Sequence, residues 1–291
     1  MSPLRVGLVG AGPWAGLFHA PMLAAGPETE LAGVWARRPE AAEELAGRHG
    51  SRAFPRYEDL LDVCEAVAFA VPPNVQATLA AVAAGAGKAV MLEKPLGLSL
   101  PEATRLADAV GEAGVGSSVV LTWRYSPAVR AFLHAAAGVA PVGGRAWFLS
   151  GALLGGWFST PWRLQWGALP DVGPHVIDLL DAAMGPVTDI RAHGDSLRWV
   201  GLLLEHEGGG VSEASLSGTV DPEARRSGCE VYSAAKSAVI DTGSVSADAV
   251  GVLRAEFATH ARDPKPHPLD VHRGVYLQRL IDDAQSQLAE Q

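Results

Sequence analysis

The stretch Val6-Gly7-Leu8-Val9-Gly10-Ala11-Gly12-Pro13-Trp14-Ala15 decides the fold, because it joins an apolar strand to a glycine-rich turn and the start of a helix. In the pattern G-x-G-x-x-A, the first glycine permits a tight turn and the second lets the backbone approach a pyrophosphate. A small third residue lets the helix pack closely on the strand. Although glycines also mark ordinary turns, the position after a strand predicts a dinucleotide site formed by Gly10, Gly12, Pro13, Trp14 and Ala15.

Short apolar segments alternate with Ala- and Leu-rich helical segments over the first 120 residues. Strands that are apolar on both faces are typical of a parallel sheet covered by helices. The order therefore predicts an α/β fold, with an N-terminal Rossmann domain, a doubly wound parallel sheet, over residues 1–121. The predicted strands are Arg5–Val9, Leu31–Trp35, Ala66–Val71, Ala89–Leu92 and Ser117–Leu121, with helices at Pro39–Arg48, Val75–Ala84 and Leu100–Ala113.

The pattern changes after residue 121. Trp199–His206 and Val211–Ser217 alternate around the turn Glu207-Gly208-Gly209-Gly210, which predicts a β-hairpin. Residues 122–291 are therefore expected to form a C-terminal α+β domain with a largely antiparallel, open-faced sheet. Its other predicted elements are strands at Cys229–Ala234 and Ala238–Asp241, and helices at Pro127–Ala137, Val172–Met184 and about 269–288.

The end of the second strand bears on the choice of cofactor. An NAD-preferring site usually has Asp or Glu there to bind the ribose 2′-hydroxyl, but this chain reads Val34-Trp35-Ala36-Arg37-Arg38. Guanidinium groups suit a 2′-phosphate. We therefore expect NADP, with NAD possible; the alternative is that Arg37 and Arg38 form a solvated basic loop.

Composition excludes several classes of protein. The 291 residues are 48% apolar and 19% charged, which favours a folded core over disorder. The net charge of −9 argues against a nucleic-acid partner. No apolar run approaches the roughly 20 residues of a membrane-spanning helix. The start of the chain shows no secretory pattern. The two cysteines, Cys64 and Cys229, fit no metal-ligand or redox spacing, so we expect a reducing, cytoplasmic location.

No metal site is expected. The nine histidines show no ligand spacing. Three of them, His260, His267 and His272, lie in a polar, Pro-rich stretch and are predicted to be surface residues.

The segment Met91-Leu92-Glu93-Lys94-Pro95-Leu96 resembles the Glu-Lys-Pro signature of the glucose–fructose oxidoreductase and inositol dehydrogenase family (Gfo/Idh/MocA). Ala70-Val71-Pro72-Pro73-Asn74 resembles the proline-rich loop of that family. Asp171-Val172-Gly173-Pro174-His175-Val176-Ile177-Asp178 is similar to its D-x-G-x-H-x-x-D segment, and Leu269-Asp270-Val271-His272-Arg273-Gly274 to the start of its last helix. The chain departs from the family pattern at two places. Trp14 is unusually bulky for the phosphate loop, and the sequence Trp166-Gly167-Ala168-Leu169-Pro170 stands where the family often has a run of glycines.

The resemblance implies a catalytic trio of Lys94, Asp171 and His175, and dimers or tetramers built through the open sheet face. It also places cofactor contacts along the matching loops, at Val71, Pro72, Pro73, Asn74, Glu93 and Lys94.

The residue types suit hydride transfer, which needs a group to take or give the hydroxyl proton. Lys94 follows a strand at the carboxyl edge of the sheet, where α/β proteins bind ligands. Asp171 and His175 are four residues apart on one helix, so both can project from one face, and His175 can exchange a proton near neutral pH. The alternative is that Asp171 caps the helix and His175 fills a polar core position.

Four residues just before this helix are candidates for substrate contact. Tryptophan faces can stack on sugar rings, but core or interface packing is the commoner role and is favoured here. The residues are Trp157, Trp162, Arg163 and Trp166, of which Trp162 and Arg163 are retained as substrate-binding candidates together with Lys94, Asp171 and His175.

The sequence thus favours an NADP-dependent oxidoreductase acting on a sugar, cyclitol or related small polyhydroxy or keto compound. One alternative is a non-catalytic regulator or sensor of the same fold that binds the dinucleotide. Another is an oxidoreductase that retains its cofactor and recycles it between two sugars.

Overall fold

The computed structural model describes residues 2–243 and 247–291, and it divides the chain into two compact units. The first unit comprises Met1–Val120 and Val250–Gln278; the second comprises Leu121–Ala249 and Arg279–Gln291. The chain leaves the first unit one residue before the expected boundary at 121. Residues 250–278, which the sequence analysis places in the second domain, belong to the first unit instead. Residue 1 of the expected first domain lies outside the described residues.

The first unit is built on a parallel sheet of five strands. They are β1 (Leu4–Val9), β2 (Thr29–Trp35), β3 (Ala66–Phe69), β4 (Ala89–Leu92) and β5 (Ser117–Val119), in the order β2-β1-β3-β4-β5. This confirms the predicted Rossmann sheet. Because the chain moves from β1 outward to β2 and then back to β3 on the other side, the order reverses at β1. Ligands of such sheets bind beyond the carboxyl ends of the strands at this reversal.

Helices follow the strands of this sheet. The helix after β1 contains a π-helical turn, Ala15–His19, and continues as α1 (Ala20–Ala24). The others up to β5 are α2 (Pro39–Arg48), α3 (Tyr57–Val63), α4 (Pro73–Gly85) and α5 (Leu100–Ala113). Prolines stand at the first position of α2 and α4 and at the second position of α5, where a missing N–H costs nothing.

The second unit contains a six-stranded, mostly antiparallel sheet, as predicted. The strands are β6 (Gly143–Leu149), β7 (Val187–Asp195), β8 (Trp199–His206), β9 (Val211–Ser217), β10 (Arg226–Tyr232) and β11 (Ser237–Asp241), in the order β11-β10-β6-β9-β8-β7. Among the described strands of this sheet, only β6 and β9 pair in parallel. Leu202 and Leu204 are buried on one face of β8, whereas Leu203 on the other face is 47% exposed. One face of the sheet is therefore covered, and the other carries exposed side chains.

The covered face packs on a buried helix. The helices of this unit are α6 (Pro127–Ala137), α7 (Pro161–Trp166) and α8 (Ala168–Met184), and α8 contacts β6, β8, β9 and β10. The helix α8 begins after Gly167, earlier than the predicted Val172. Gly167 has φ +77°, and a Cβ there would lie 2.1 Å from the Ser196 carbonyl oxygen, so only glycine fits. Asp171 therefore lies in the first turn rather than at the cap, and the interpretation of Asp171 as the capping residue is wrong.

The last helices are α9 (Ala247–Arg262) and α10 (Val271–Ala289), and the segment that joins them completes the first unit. The Val119 N–H donates to the Leu269 carbonyl at 2.7 Å, and the Val271 N–H donates to Ser117 Oγ at 3.0 Å. These bonds fasten the segment to the edge strand β5. Their partners lie about 150 residues apart in sequence, which is why the sequence pattern did not reveal them.

One predicted surface residue is buried by this packing. His260 is only 8% exposed, and its ring lies 5.3 Å from that of His267. Burial, together with the charge of His267, lowers the pKa of His260 below the ordinary histidine value. The prediction that His260 is a surface residue is therefore wrong, because the end of α9 lies against Gly116, just before β5. His272 is exposed, as predicted.

Within the described ranges, no helix combines the length and apolar character needed to cross a bilayer.

Candidate active site

The turn after β1 has different surroundings at each of its three small residues. Gly10 has φ +118°, and a Cβ there would lie 2.4 Å from the Ala70 carbonyl oxygen, so no other residue fits. A Cβ on Gly12 would meet nothing within 4 Å. Ala15 is fully buried, which shows the close helix–strand packing that a small residue permits. Gly10 and Ala15 thus have the surroundings expected of the tight turn and of close helix packing, while the approach of Gly12 to a pyrophosphate stays a prediction.

The indole of Trp14 in this turn is held by a buried carboxylate. Its Nε1 donates to Glu93 Oε1 at 2.6 Å, and the same oxygen lies 2.8 Å from Nε2 of the fully buried His19. Because an ionised carboxylate only accepts hydrogen bonds, His19 Nε2 carries the shared proton. The Trp14 ring also stacks on Phe18, with centroids 4.7 Å apart and planes 2° from parallel.

These donors keep Glu93 charged. Burial raises the pKa of its carboxyl group, but the hydrogen bond and charge of His19, the charge of Lys94 and the Trp14 hydrogen bond outweigh that effect. The pKa of Glu93 therefore lies below the ordinary glutamate value, and the group is ionised at neutral pH. Its second oxygen, Oε2, lies 3.3 Å from the backbone N–H of Lys94.

The other predicted cofactor residues lie at the same sheet edge. Arg37 and Arg38 follow β2, the segment from Val71 to Asn74 follows β3, and Glu93 and Lys94 follow β4. Since the strands are parallel, all these loops leave the sheet at its carboxyl edge. Arg37 and Arg38 are exposed, and their side chains pair with no other residue in the described part of the chain.

In the second unit, α8 carries three polar residues of the D-x-G-x-H-x-x-D segment. Asp171, His175 and Asp178 are 7%, 8% and 1% exposed, so each needs a partner. Arg163 Nε forms an ion pair with Asp171 Oδ1 at 3.0 Å, without the alignment of a hydrogen bond. Arg124 donates from Nη1 to both oxygens of Asp178 at 3.0 and 3.1 Å.

Aromatic rings surround these groups. The His175 ring lies 5.4 Å from that of Trp123. The Arg163 guanidinium lies over the rings of Trp162, at 4.7 Å, and Phe158, at 5.6 Å. Such cation–π contacts, together with the ion pair, fix the orientation of Arg163.

Trp157 is 66% exposed, so it does not pack in a core, while interface packing and substrate contact both stay predictions for this residue. It belongs to an irregular loop that precedes α7, and loops run over the surface.

Lys94 belongs to the first unit, and Asp171 and His175 to the second. Among the described residues, no three His, Cys, Asp or Glu side chains are grouped so as to hold a metal ion.

Comparison with known proteins places this architecture in a family. Residues 4–120 match the model of the GFO_IDH_MocA family, described as an oxidoreductase family with an NAD-binding Rossmann fold. The stretch from residue 4 to residue 120 belongs to this family.

Similarity to curated Gfo/Idh/MocA proteins extends beyond the Rossmann unit. The chain is 31% identical over 214 residues to levoglucosan dehydrogenase of Pseudarthrobacter phenanthrenivorans, a match that covers 66% of this chain and 54% of that protein. It is 34% identical over 130 residues to UDP-N-acetylglucosamine 3-dehydrogenase of Acidithiobacillus ferrooxidans, covering 45% and 41%. The chain thus spans about half the length of these relatives, or less.

The fold matches solved Gfo/Idh/MocA structures over the whole chain. GenD2 from gentamicin A biosynthesis, in complex with NAD, superimposes with a TM-score of 0.87 at 23% identity, covering 100% of this chain and 95% of that one. This likeness shows the shared fold.

Sequence reasoning missed one residue that shapes the Glu-Lys-Pro segment. Gln76, fully buried on α4, accepts from the Glu93 N–H at 2.8 Å and donates to the Glu93 carbonyl at 2.7 Å. Its Nε2 also lies 3.3 Å from the carbonyls of Pro95 and Leu96. The signal was present: Gln76 falls on the apolar stripe of α4 with Ala80, Ala83 and Ala84, and a lone polar residue on a buried face needs specific partners.

The two glycines of the turn should respond differently to alanine. Gly10→Ala should lower the free energy of unfolding by roughly 2–4 kcal/mol, because its Cβ collides with the Ala70 carbonyl at a positive φ. Gly12→Ala should change stability by less than about 1 kcal/mol but weaken NADPH binding tenfold or more, because the added methyl group occupies the open space that a pyrophosphate needs. Denaturant unfolding and calorimetric titration measure the two effects. Unchanged NADPH affinity in a folded Gly12→Ala variant would contradict the assignment of the turn.

Proposed function

We propose that the chain is an NADP-preferring oxidoreductase that transfers a hydride between nicotinamide and a sugar, cyclitol or related hydroxy or keto compound. The observation that carries the proposal is the fixed position of Lys94 at the carboxyl edge of the sheet that also holds the Gly10–Ala15 turn. The names of the curated relatives, a levoglucosan dehydrogenase and a UDP-N-acetylglucosamine 3-dehydrogenase, support a carbohydrate substrate.

The chain would hold the dinucleotide by its turn and neighbouring loops. Gly10, Gly12 and Ala15 shape the turn, and the start of the following helix presents backbone N–H groups to a pyrophosphate. Arg37 and Arg38 would bind the 2′-phosphate, since both are exposed and pair with no other described side chain. When bound, the nicotinamide supplies the hydride acceptor or donor.

Lys94 would take the hydroxyl proton as the carbonyl forms, or return it in the reverse direction, through Nζ. The backbone of the preceding residue is held on both sides by Gln76. Such restraint keeps a reacting group close to its productive position, which general acid–base catalysis requires.

His175 would serve as a second group that binds and moves a proton at the substrate. Asp171 would accept a hydrogen bond from a substrate hydroxyl group, with Arg163 fixing the orientation of its carboxylate. Arg163 also contacts the Trp162 ring, so it links Asp171 and Trp162, two of the candidates for substrate contact, in one cluster.

The open sheet face of the second unit is the proposed surface for a homodimer or homotetramer. Strand register places Arg191, Leu203, Glu213, Arg145, Glu230 and Val239 in one row across the sheet. Leu203 and Val239 are 47% and 61% exposed. A row that contains both apolar residues and charges of both signs suits a self-complementary interface.

Assembly can be tested with two exposed apolar residues. Leu203→Glu places a charge in the proposed interface and should dissociate the oligomer, whereas Val82→Glu, at a 48% exposed position on α4, should leave the mass unchanged. Light scattering at low micromolar concentration measures the mass. A monomeric wild-type protein would refute the proposed interface.

Cofactor preference can be tested by changing the two arginines. Wild type should bind NADPH more tightly than NADH, and Arg37→Asp with Arg38→Ala should weaken NADPH binding by about 10–100-fold, because charge-assisted bonds to the 2′-phosphate are lost. Titration of nicotinamide fluorescence gives both affinities. Arg105→Asp, at an exposed site on α5, is the control for net charge. Equal affinities of the wild type for NADPH and NADH would remove the preference for NADP.

Lys94→Ala and His175→Ala should each lower kcat by about 10²–10⁴-fold, the usual contribution of a general acid or base. A panel of sugars and ketosugars, followed by nicotinamide absorbance, identifies the substrate and measures kcat. NADPH affinity should remain within a few-fold, since neither change alters the phosphate turn. If both variants turn over like wild type on a verified substrate, the mechanism fails and the regulator becomes the better hypothesis.

Asp171 has a matched control on the same helix. Asp171→Asn and Asp178→Asn each leave a buried arginine without its charged partner, so each should lower the free energy of unfolding by roughly 3 kcal/mol. Only Asp171→Asn should also lower kcat in the folded protein. Equal kcat in the two variants would assign Asp171 a structural role alone.

A further inference from the structure

Strand β7 lies at one edge of the sheet in the second unit. Among the described strands it is the last in the order β11-β10-β6-β9-β8-β7, and its inner side pairs with β8. The outer side of an edge strand presents backbone N–H and C=O groups to which a strand of another molecule can add. The outer side of β7 is therefore a surface where a second copy of the chain could pair.

Two glutamine side chains of the same unit bind this outer side. Gln287 Nε2 donates to the Ile190 carbonyl at 2.8 Å, and Gln287 Oε1 accepts from the Ala192 N–H at 2.8 Å. Gln291 repeats the pattern two residues further along the strand. Its Nε2 donates to the Ala192 carbonyl at 2.9 Å, and its Oε1 accepts from the Gly194 N–H at 3.1 Å. Each side-chain amide thus bonds to β7 as the backbone of a neighbouring strand would.

The spacing of the two glutamines suits a strand edge. Gln287 lies in the last turn of α10, and Gln291 follows just beyond the end of that helix. Four residues of a helix rise about 6 Å, and two residues of a strand advance about 6.5–7 Å. Since residues four apart lie on one face of a helix, both amides meet β7 at successive positions that point away from β8.

The same bonds hold the end of α10 against the sheet. In this last turn, Leu288 is half-buried, and Ala289, Glu290 and Gln291 are exposed. A segment with so little buried apolar surface opens easily unless other contacts hold it. The hydrogen bonds of the glutamines therefore both cover the edge of β7 and keep the covering helix in place.

We propose that Gln287 and Gln291 form a clasp that occupies the outer edge of β7 and prevents this edge from pairing with an extended strand of a second copy of the chain. A primary amide suits this task because it carries both an acceptor and donors, as a peptide group does. The clasp goes beyond the proposed oxidoreductase function. With the edge occupied, the open face of the sheet is left as the surface for the proposed homo-oligomer.

The test removes both amides from the full chain, in the double variant Gln287→Ala with Gln291→Ala. Amide hydrogen exchange of Ala192 and Gly194, followed by NMR, should become roughly five- to tenfold faster, as expected when each N–H loses one hydrogen bond. Light scattering should show species heavier than the wild-type assembly, and their share should grow with protein concentration.

A peptide probes the edge directly. A fluorescent peptide with the sequence of β7, Val187–Asp195, should bind the double variant, as measured by fluorescence anisotropy, and should not bind the wild type. Gln285→Ala is the matched control, because Gln285 is a glutamine of α10 that lies outside the clasp. This variant should match the wild type in amide exchange, mass and peptide binding.

Equal binding of the peptide to the wild type and the double variant would show that the edge is not guarded and would overturn the proposal. A folded double variant that binds no peptide and keeps the wild-type mass would do the same. If the double variant does not fold, Gln291→Ala alone, at an exposed position, frees the Ala192 carbonyl and the Gly194 N–H. It should bind the peptide more tightly than the wild type does, and the absence of any gain would count against the clasp. These measurements use no cofactor or substrate, so failure of the proposed function would show in turnover assays and not here.

Discussion

A carboxylate removed from water needs several donors, and Glu93 meets this need with partners from three segments at the carboxyl edge of the first sheet. Its donors come from the helix after β1, its backbone partners come from α4, and Glu93 itself ends β4. Three segments that are distant in sequence are thereby joined at one point. Without the Glu93 side chain, the Trp14 indole and the His19 ring would both lose the oxygen that accepts these hydrogen bonds, and a buried polar group left without a partner costs roughly 1–3 kcal/mol.

The second unit solves a similar problem with a different element. Helix α8 is so enclosed that all but two of its 17 residues are buried, yet it carries Asp171, His175, Asp178 and Asp181. Arg163 and Arg124 lie outside α8 and reach two of these carboxylates. Such buried pairs add little net stability, but they require both arginines to take one conformation. Burial of these charges thus requires fixed side-chain positions around His175.

The sequence could predict those features that depend on neighbouring residues. The strand and turn around Gly10, the Rossmann order and the β8–β9 hairpin follow from local patterns, and the structure confirms them. The strand β6 was missed because its first two residues are glycines, which weaken a strand pattern. The return of residues 250–278 to the first unit depends on bonds between distant residues, such as Val271 to Ser117, which no local pattern encodes.

The same limit explains why Trp14 could only look like an anomaly in the sequence. A bulky indole in a phosphate turn has no evident partner until Glu93, 79 residues later, is placed beside it. The π-helical turn Ala15–His19, closed by a bond from the Ala20 N–H to the Ala15 carbonyl, makes the arrangement possible. In a regular α-helix, a residue five positions on points about 140° away from the first, at about 100° per residue. The wider π turn reduces that angle, so that Trp14 and His19 can reach the same oxygen while Phe18 stacks on the indole. Single π turns of this kind occur often at functional sites. We therefore interpret the π turn and Trp14 together, as the features that bring two hydrogen-bond donors to one oxygen of Glu93.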